Sequence, residues 1–239
     1  MASSSASAGN PILLAQYIHS MKRLNIMIAT AVVSAAASAP LAAQDGVELL
    51  NEGFDDLAGL TSWDRINRSI PPGLSWFQGN ADIFAAQGGA SGSYAAANFL
   101  GAANGMGVVD NWLITPTLTL SGLTTLSFFT NRELVDDFDD LIEVRFGAGS
   151  GTDASGFDTL LATIGGDDAF PTDWRQWSAN LTVEGEGRFA FRYLGDAANL
   201  SYVGLDTVRV VTAVPEPTSL LMLAGGLGVL GLMRRRERQ

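Results

Sequence analysis

Leu141-Ile142-Glu143-Val144-Arg145-Phe146 and Arg188-Phe189-Ala190-Phe191-Arg192-Tyr193 decide the fold. In the first stretch Ile142, Val144 and Phe146 share one parity, and Glu143 and Arg145 the other. In the second, Phe189, Phe191 and Tyr193 oppose Arg188 and Arg192. Side chains alternate across a strand, so each stretch reads as a strand with one apolar and one solvated face. Antiparallel sheets that bury a single face carry this pattern.

Further short β-runs lie on both sides, separated by Gly, Asp, Asn and Pro. The expected strands are Val47–Phe54, Tyr94–Phe99, Trp112–Thr115, Thr125–Asn131, Leu141–Gly147, Thr159–Ile164, Trp174–Leu181, Arg188–Leu194 and Tyr202–Val211. No amphipathic helix interrupts them. Nine one-faced strands predict an all-β domain, a jelly-roll-type β-sandwich. Residues 88–107, rich in Gly, Ala and Asn, read as a long loop around the Tyr94 strand. Trp63, Trp76, Trp112, Trp174 and Trp177 are core candidates. Trp174 and Trp177 differ by three positions and so face opposite sides. One of them is then either an exposed sugar-stacking platform or part of a covered edge.

The ends of the chain read differently. Residues 1–20 fit no element and are taken as an upstream extension. Met21-Lys22-Arg23 opens a basic segment followed by an apolar run to Ala36, so 21–43 reads as a signal peptide. Cleavage after Ala43 releases Gln44; an uncleaved N-terminal anchor is the alternative. At the other end, Pro215 and Pro217 fix φ and remove two backbone donors, which keeps Val214-Pro215-Glu216-Pro217 extended. An uncharged apolar run from Leu220 to Met233 follows, then Arg234, Arg235 and Arg236. At about 1.5 Å per residue, Ser219 to Met233 makes about 22 Å of helix. A hydrocarbon core is about 30 Å thick, so a single spanning helix needs local thinning and snorkelling arginines. The arginines belong in the cytoplasm, which leaves the domain outside. The alternative is a buried C-terminal helix.

The 44–213 segment holds 23 acidic residues and eight arginines, for a formal charge of −15. It has no lysine, histidine or cysteine. Such a surface repels nucleic acid and anionic membranes; solubility explains it as well as any ligand does. The missing residue types exclude thiolate nucleophiles and disulfides, histidine bases, histidine-held zinc, and Schiff-base or P-loop chemistry. Carboxylate chemistry and oxygen-ligated cations remain. Nothing selects a glycosidase-like pair, so the expectation is a protein that is not an enzyme.

The order Val-Pro-Glu-Pro, short glycine-bearing span, arginine cluster resembles the PEP-CTERM sorting signal of Gram-negative bacteria. The resemblance implies recognition at Pro215, Glu216 and Pro217 by exosortase, a membrane-embedded transpeptidase-like enzyme. It also implies passage through the inner membrane, transient anchoring, and a cell-surface or extracellular destination beside exopolysaccharide export. A second resemblance covers about 47–212. Glu52-Gly53-Phe54-Asp55, Trp63, Asn111-Trp112-Leu113-Ile114-Thr115-Pro116, Trp174–Leu181 and Gly204-Leu205-Asp206-Thr207-Val208 occur in the order of a choice-of-anchor J domain, related to cleaved-adhesin and MAM-type jelly rolls. Related domains hold a structural calcium with acidic residues matching Asp55 and Asp206. The absence of cysteine departs from the MAM pattern.

Parity independently directs attention to Asp206. It shares parity with Tyr202, Val208 and Val210, whereas Arg209 marks the solvent side. An inward carboxylate needs a partner or a cation. With the first strand beside the last, Glu52 or Asp55 meets Asp206, and the three make a candidate Ca²⁺ shell; the alternative is a carboxylate that binds backbone amides. Asp136-Asp137-Phe138-Asp139-Asp140 is expected to be a solvated turn that discourages edge pairing. Asp167-Asp168 is expected to be a hairpin turn. The expected role is a structural or adhesive component of the surface or biofilm matrix. The runner-up is a carbohydrate-binding module that engages exopolysaccharide.

Overall fold

The structure, a computed structural model, describes residues 46–166, 168–213 and 236. The extension, the signal peptide, Asp167, Pro215, Glu216, Pro217, Arg234, Arg235 and the expected spanning helix lie outside the described residues. Among the described residues no helix is long and apolar enough to cross a membrane.

Ten strands follow in chain order: β1 (Val47–Glu52), β2 (Asp64–Asn67), β3 (Phe77–Gln78), β4 (Ala95–Asn98), β5 (Val108–Ile114), β6 (Leu118–Arg132), β7 (Leu141–Ala148), β8 (Thr159–Gly165), β9 (Arg175–Asp196) and β10 (Tyr202–Thr212). All pairings are antiparallel. One layer runs β8-β7-β9-β5-β2. The other runs β9-β6-β10, with β4 and β1 sharing the far side of β10 and β3 beyond β4. The fold is all-β and of the β-sandwich type, as expected.

β9 belongs to both layers. Its first half pairs with β6 from Arg175 to Gly187, and its second half lies between β5 and β7. The sequence suggested two strands here, Trp174–Leu181 and Arg188–Leu194, with two glycines, Gly185 and Gly187, between them. Gly185 adopts φ 99° and lets the strand bend without breaking its ladder. Phe128 of β6 meets Phe191 of β9 edge to face at 5.1 Å, which joins the layers through the core. Ile142, Val144, Phe146, Phe189, Phe191 and Tyr193 are all buried in that core, as their parity required. β2 and β3 were not legible, being four and two residues long.

Each layer also has a covered patch on its outer face. Residues 149–158 fold over Trp112, Ile114 and Ala190, burying Phe157 and Ala154 with them. Residues 79–94 fold over Ala96 and Tyr202, burying Tyr94. β4 is therefore enclosed on both faces, which explains its run of alanines, Ala95 to Ala97, all fully buried. Gly204 lets this cover lie close, since a Cβ there would come within 2.9 Å of Phe84 and Trp174.

Candidate functional site

β1 pairs with β10, and Glu52 lies opposite Val208, so the first and last strands are neighbours. Asp206 is fully buried, but not on the face that parity suggested. The register slips between Asp206 and Arg209, and Thr207 takes φ 50°. Before this bulge Val203 and Leu205 face the core; after it Val208 and Val210 do. Asp206 thus shares the outer face with Tyr202, beneath the 79–94 cover. Asp206 is buried as expected, but on the face opposite Val208 and Val210.

The carboxylate is held by the cover itself. Its Oδ2 accepts from the amides of Gln87 at 2.8 Å and Gly88 at 3.2 Å. Its Oδ1 accepts from the Thr207 amide at 2.6 Å. The Thr207 hydroxyl lies 3.2 Å from Oδ1 and donates at 2.8 Å to Gln87 Oε1. Burial pushes the Asp206 carboxyl above its ordinary value, while the amides of Gly88, Thr207 and Gln87 pull it back. Glu52 is turned to its own strand end, accepting from the Phe54 amide at 2.7 Å, with Phe54 at φ 55°. Asp55 is exposed, and its Oδ1 faces Gly89 of the cover.

All three expected metal ligands therefore lie where β1, β10 and the cover meet. As arranged, they do not fit a calcium shell. Three N–H dipoles surround the Asp206 carboxylate with positive potential, and a cation would have to displace them. Among the described residues no group of three or more His, Cys, Asp or Glu is disposed to hold a metal. The Asp206 carboxylate instead binds backbone amides, the alternative expected for it.

The acidic stretch 136–140 splits. Asp136, Asp137 and Asp139 are exposed, consistent with a solvated turn, but Asp140 is buried. Its Oδ1 accepts from the Tyr193 hydroxyl at 2.6 Å and the Ser201 amide at 3.0 Å, and Arg132 lies 3.6 Å from Oδ2. The missed signal was parity, since Asp140 alternates in step with Ile142, Val144 and Phe146. A perturbed carboxyl can mark an active site. This one is closed to substrate and ties β7 to β9 and to the start of β10.

Burial raises Asp140 above its ordinary 3.8, against the pull of Tyr193, Ser201 and Arg132. A raised folded value means that the fold binds the proton more tightly than the unfolded chain. That contribution is complete below the ordinary value and is lost as pH rises through the folded value. Stability should therefore fall as pH climbs from that ordinary value through the raised folded one. Asp140→Asn should flatten the fall, leaving the part due to Asp206. Urea midpoints measured across this range check it, and an unchanged slope in the variant counts against it.

The solvated face of the β5, β9 and β7 layer carries a charge ladder. Arg192 holds Asp110 with two bonds, at 2.7 and 3.1 Å, and donates to Glu143 at 3.1 Å. Arg145 reaches the same Glu143 oxygen at 2.8 Å. Trp112 donates to Asp110 at 2.6 Å and lies under the Arg192 guanidinium, 4.9 Å away. Burial raises the Glu143 carboxyl, but Arg145 and Arg192 together hold it below its ordinary value. Every charge here is engaged within the protein.

Trp174 donates to the Ala85 carbonyl at 2.7 Å and joins the cluster beneath the 79–94 cover. Trp177 is half-buried at the core margin and donates to Thr130. The two do lie on opposite sides. The Arg175 guanidinium sits 4.4 Å above the Trp177 ring and occupies the face that a sugar would need.

Residues 213–238 match the PEP-CTERM protein-sorting motif. No curated protein matches the sequence. Among solved structures, the K1 cleaved adhesin domain of Lys-gingipain from Porphyromonas gingivalis W83 superposes with a TM-score of 0.56 at 26% identity. That match covers 71% of this chain and 100% of the K1 domain. The K3 cleaved adhesin domain of the same protein superposes with a TM-score of 0.54 at 25% identity, covering 70% of this chain and 99% of K3. The chain thus carries a PEP-CTERM protein-sorting motif behind a β-sandwich similar to cleaved adhesin domains.

Proposed function

We propose that this is an exported, non-enzymatic protein whose β-sandwich is delivered by exosortase processing to the cell surface or extracellular matrix, where it has a structural or adhesive role. The observation that carries the reading is the sorting motif placed directly after an adhesin-like sandwich, its match beginning at Ala213, next to Thr212 at the end of β10. The surface chemistry supports it. The domain has no lysine, histidine or cysteine, and the two carboxyls that burial raises, Asp140 and Asp206, accept hydrogen bonds within the fold. A role based on cohesion needs no reactive group.

The test is location and phenotype together. Antibodies against the domain should label intact cells and the surrounding matrix, and deletion of the gene should weaken cohesion of the biofilm. A protein confined to the cytoplasm would end the proposal. Carbohydrate binding is the other reading, and a glycan array with the purified chain separates the two. The covered Trp177 face favours the structural role.

A further inference from the structure

We propose that Thr207 and Gln87 become joined by an ester that the folded domain forms on itself, an internal cross-link between β10 and the 79–94 cover. The Thr207 hydroxyl lies 2.8 Å from Gln87 Oε1, and the carboxamide carbon is one bond beyond that oxygen. The same hydroxyl lies 3.2 Å from Asp206 Oδ1. A nucleophile, an acyl group and a base therefore meet at one point, which is what acyl transfer needs.

Both reacting residues are clamped to that base by their own backbones. The Gln87 amide donates to Asp206 Oδ2 at 2.8 Å, and the Thr207 amide to Oδ1 at 2.6 Å. Gln87 and Thr207 are 120 residues apart in sequence, yet the fold makes their encounter unimolecular. Thr207 also holds φ 50°, which is costly for a β-branched residue and easier for glycine or asparagine. Strain of this kind gathers at functional sites, and here the strained residue carries the hydroxyl that meets Gln87.

The step balances without a co-reactant. The Thr207 hydroxyl proton passes to Asp206 as Oγ1 bonds to the Gln87 carboxamide carbon. The bond from that carbon to Nε2 then breaks, and the nitrogen takes the proton and leaves as ammonia. Burial makes the Asp206 carboxyl readier to carry the proton between them. The composition leaves few other cross-links open: the domain has no cysteine for a disulfide and no lysine for a side-chain amide.

The experiment is mass measurement on tryptic peptides of the purified full chain. Cleavage at arginine gives residues 69–132, which contain Gln87, and 193–209, which contain Thr207. The expected result is one joined species whose mass is the sum of the two less one ammonia. Hydroxylamine, which cleaves esters and spares amides, should separate them. Thr207→Ser keeps a hydroxyl and should keep the link, whereas Thr207→Val and Gln87→Ala should lose it. Asp206→Asn should slow its formation in freshly made protein by about a hundredfold or more. A wild-type chain whose two peptides run apart, a link that survives Gln87→Ala, or one that resists hydroxylamine overturns the proposal. Gln87 is exposed, so Gln87→Ala should keep the fold and decides if the β10 variants unfold.

Discussion

Asp206→Ala is expected to lower the stability of the domain by about 3–6 kcal/mol. The substitution removes the acceptor of three backbone amides, those of Gln87, Gly88 and Thr207. An amide left without a partner costs about 1–3 kcal/mol. Relief of the buried charge returns part of that, since burial holds the Asp206 carboxyl above its ordinary value. At roughly 2–4 °C per kcal/mol for a domain of this size, the melting temperature should fall by about 10 °C or more. Asp206→Asn keeps one acceptor oxygen and should lie between the two. The loss should be the same in EDTA as in calcium, because amides, not an ion, hold the carboxylate. A wild-type melting temperature that drops in EDTA and recovers with calcium, with no response in Asp206→Asn, would instead place a cation at this corner.

Replacing Pro215, Glu216 and Pro217 together with alanines is expected to block processing altogether. Proline fixes φ, removes a backbone donor and disfavours helix at the preceding residue, and the motif places two prolines in three positions. Alanine is the strongest helix former and would let the following apolar run extend backward through the motif. The variant should accumulate as a longer, membrane-bound form, read as mass on a gel and by fractionation. Release at the wild-type mass in cells with active exosortase would falsify the assignment. Arg234, Arg235 and Arg236 changed to serine should disturb membrane orientation, a separate defect.

The sandwich was legible because its strands alternate cleanly. Residues 142–146 and 189–193 kept their faces in the structure, and Glu143, Arg145 and Arg192 opposite them form the charge ladder; Arg188, expected on the same solvated face, is instead buried and donates to the Gly151 carbonyl. Legibility failed where strand geometry departs from strict alternation. At Thr207 a bulge reverses parity, so Asp206 was placed on the wrong face with the right burial. At Gly185 a bend without a break led one strand to be read as two, Trp174–Leu181 and Arg188–Leu194. At Asp140 the opposite error occurred: an acidic run was read by composition, while the alternation of the next strand already included its last residue. The covers at 79–94 and 149–158 carry no periodic signal, and their burial depends on contacts distant in sequence. The corner of Glu52, Asp55 and Asp206 was found by proximity of strands, but the donors that fill it, at Gln87 and Gly88, belong to such a cover.

The position of β10 sets how the domain bears mechanical load. Its last residue, Thr212, adjoins the tail, and the strand is flanked by β6 on one side and by β4 and β1 on the other. A pull applied through the tail runs along the strand, while the ladder bonds lie across it. The bonds on both flanks are then strained together as a sheared joint, not opened one after another as in peeling. The N-terminal end is built differently: Val47 lies opposite Thr212, so tension between the two ends of the domain separates β1 from β10 one pair at a time. Load applied at Thr212 and resisted elsewhere than at Val47 meets the stronger of these two geometries.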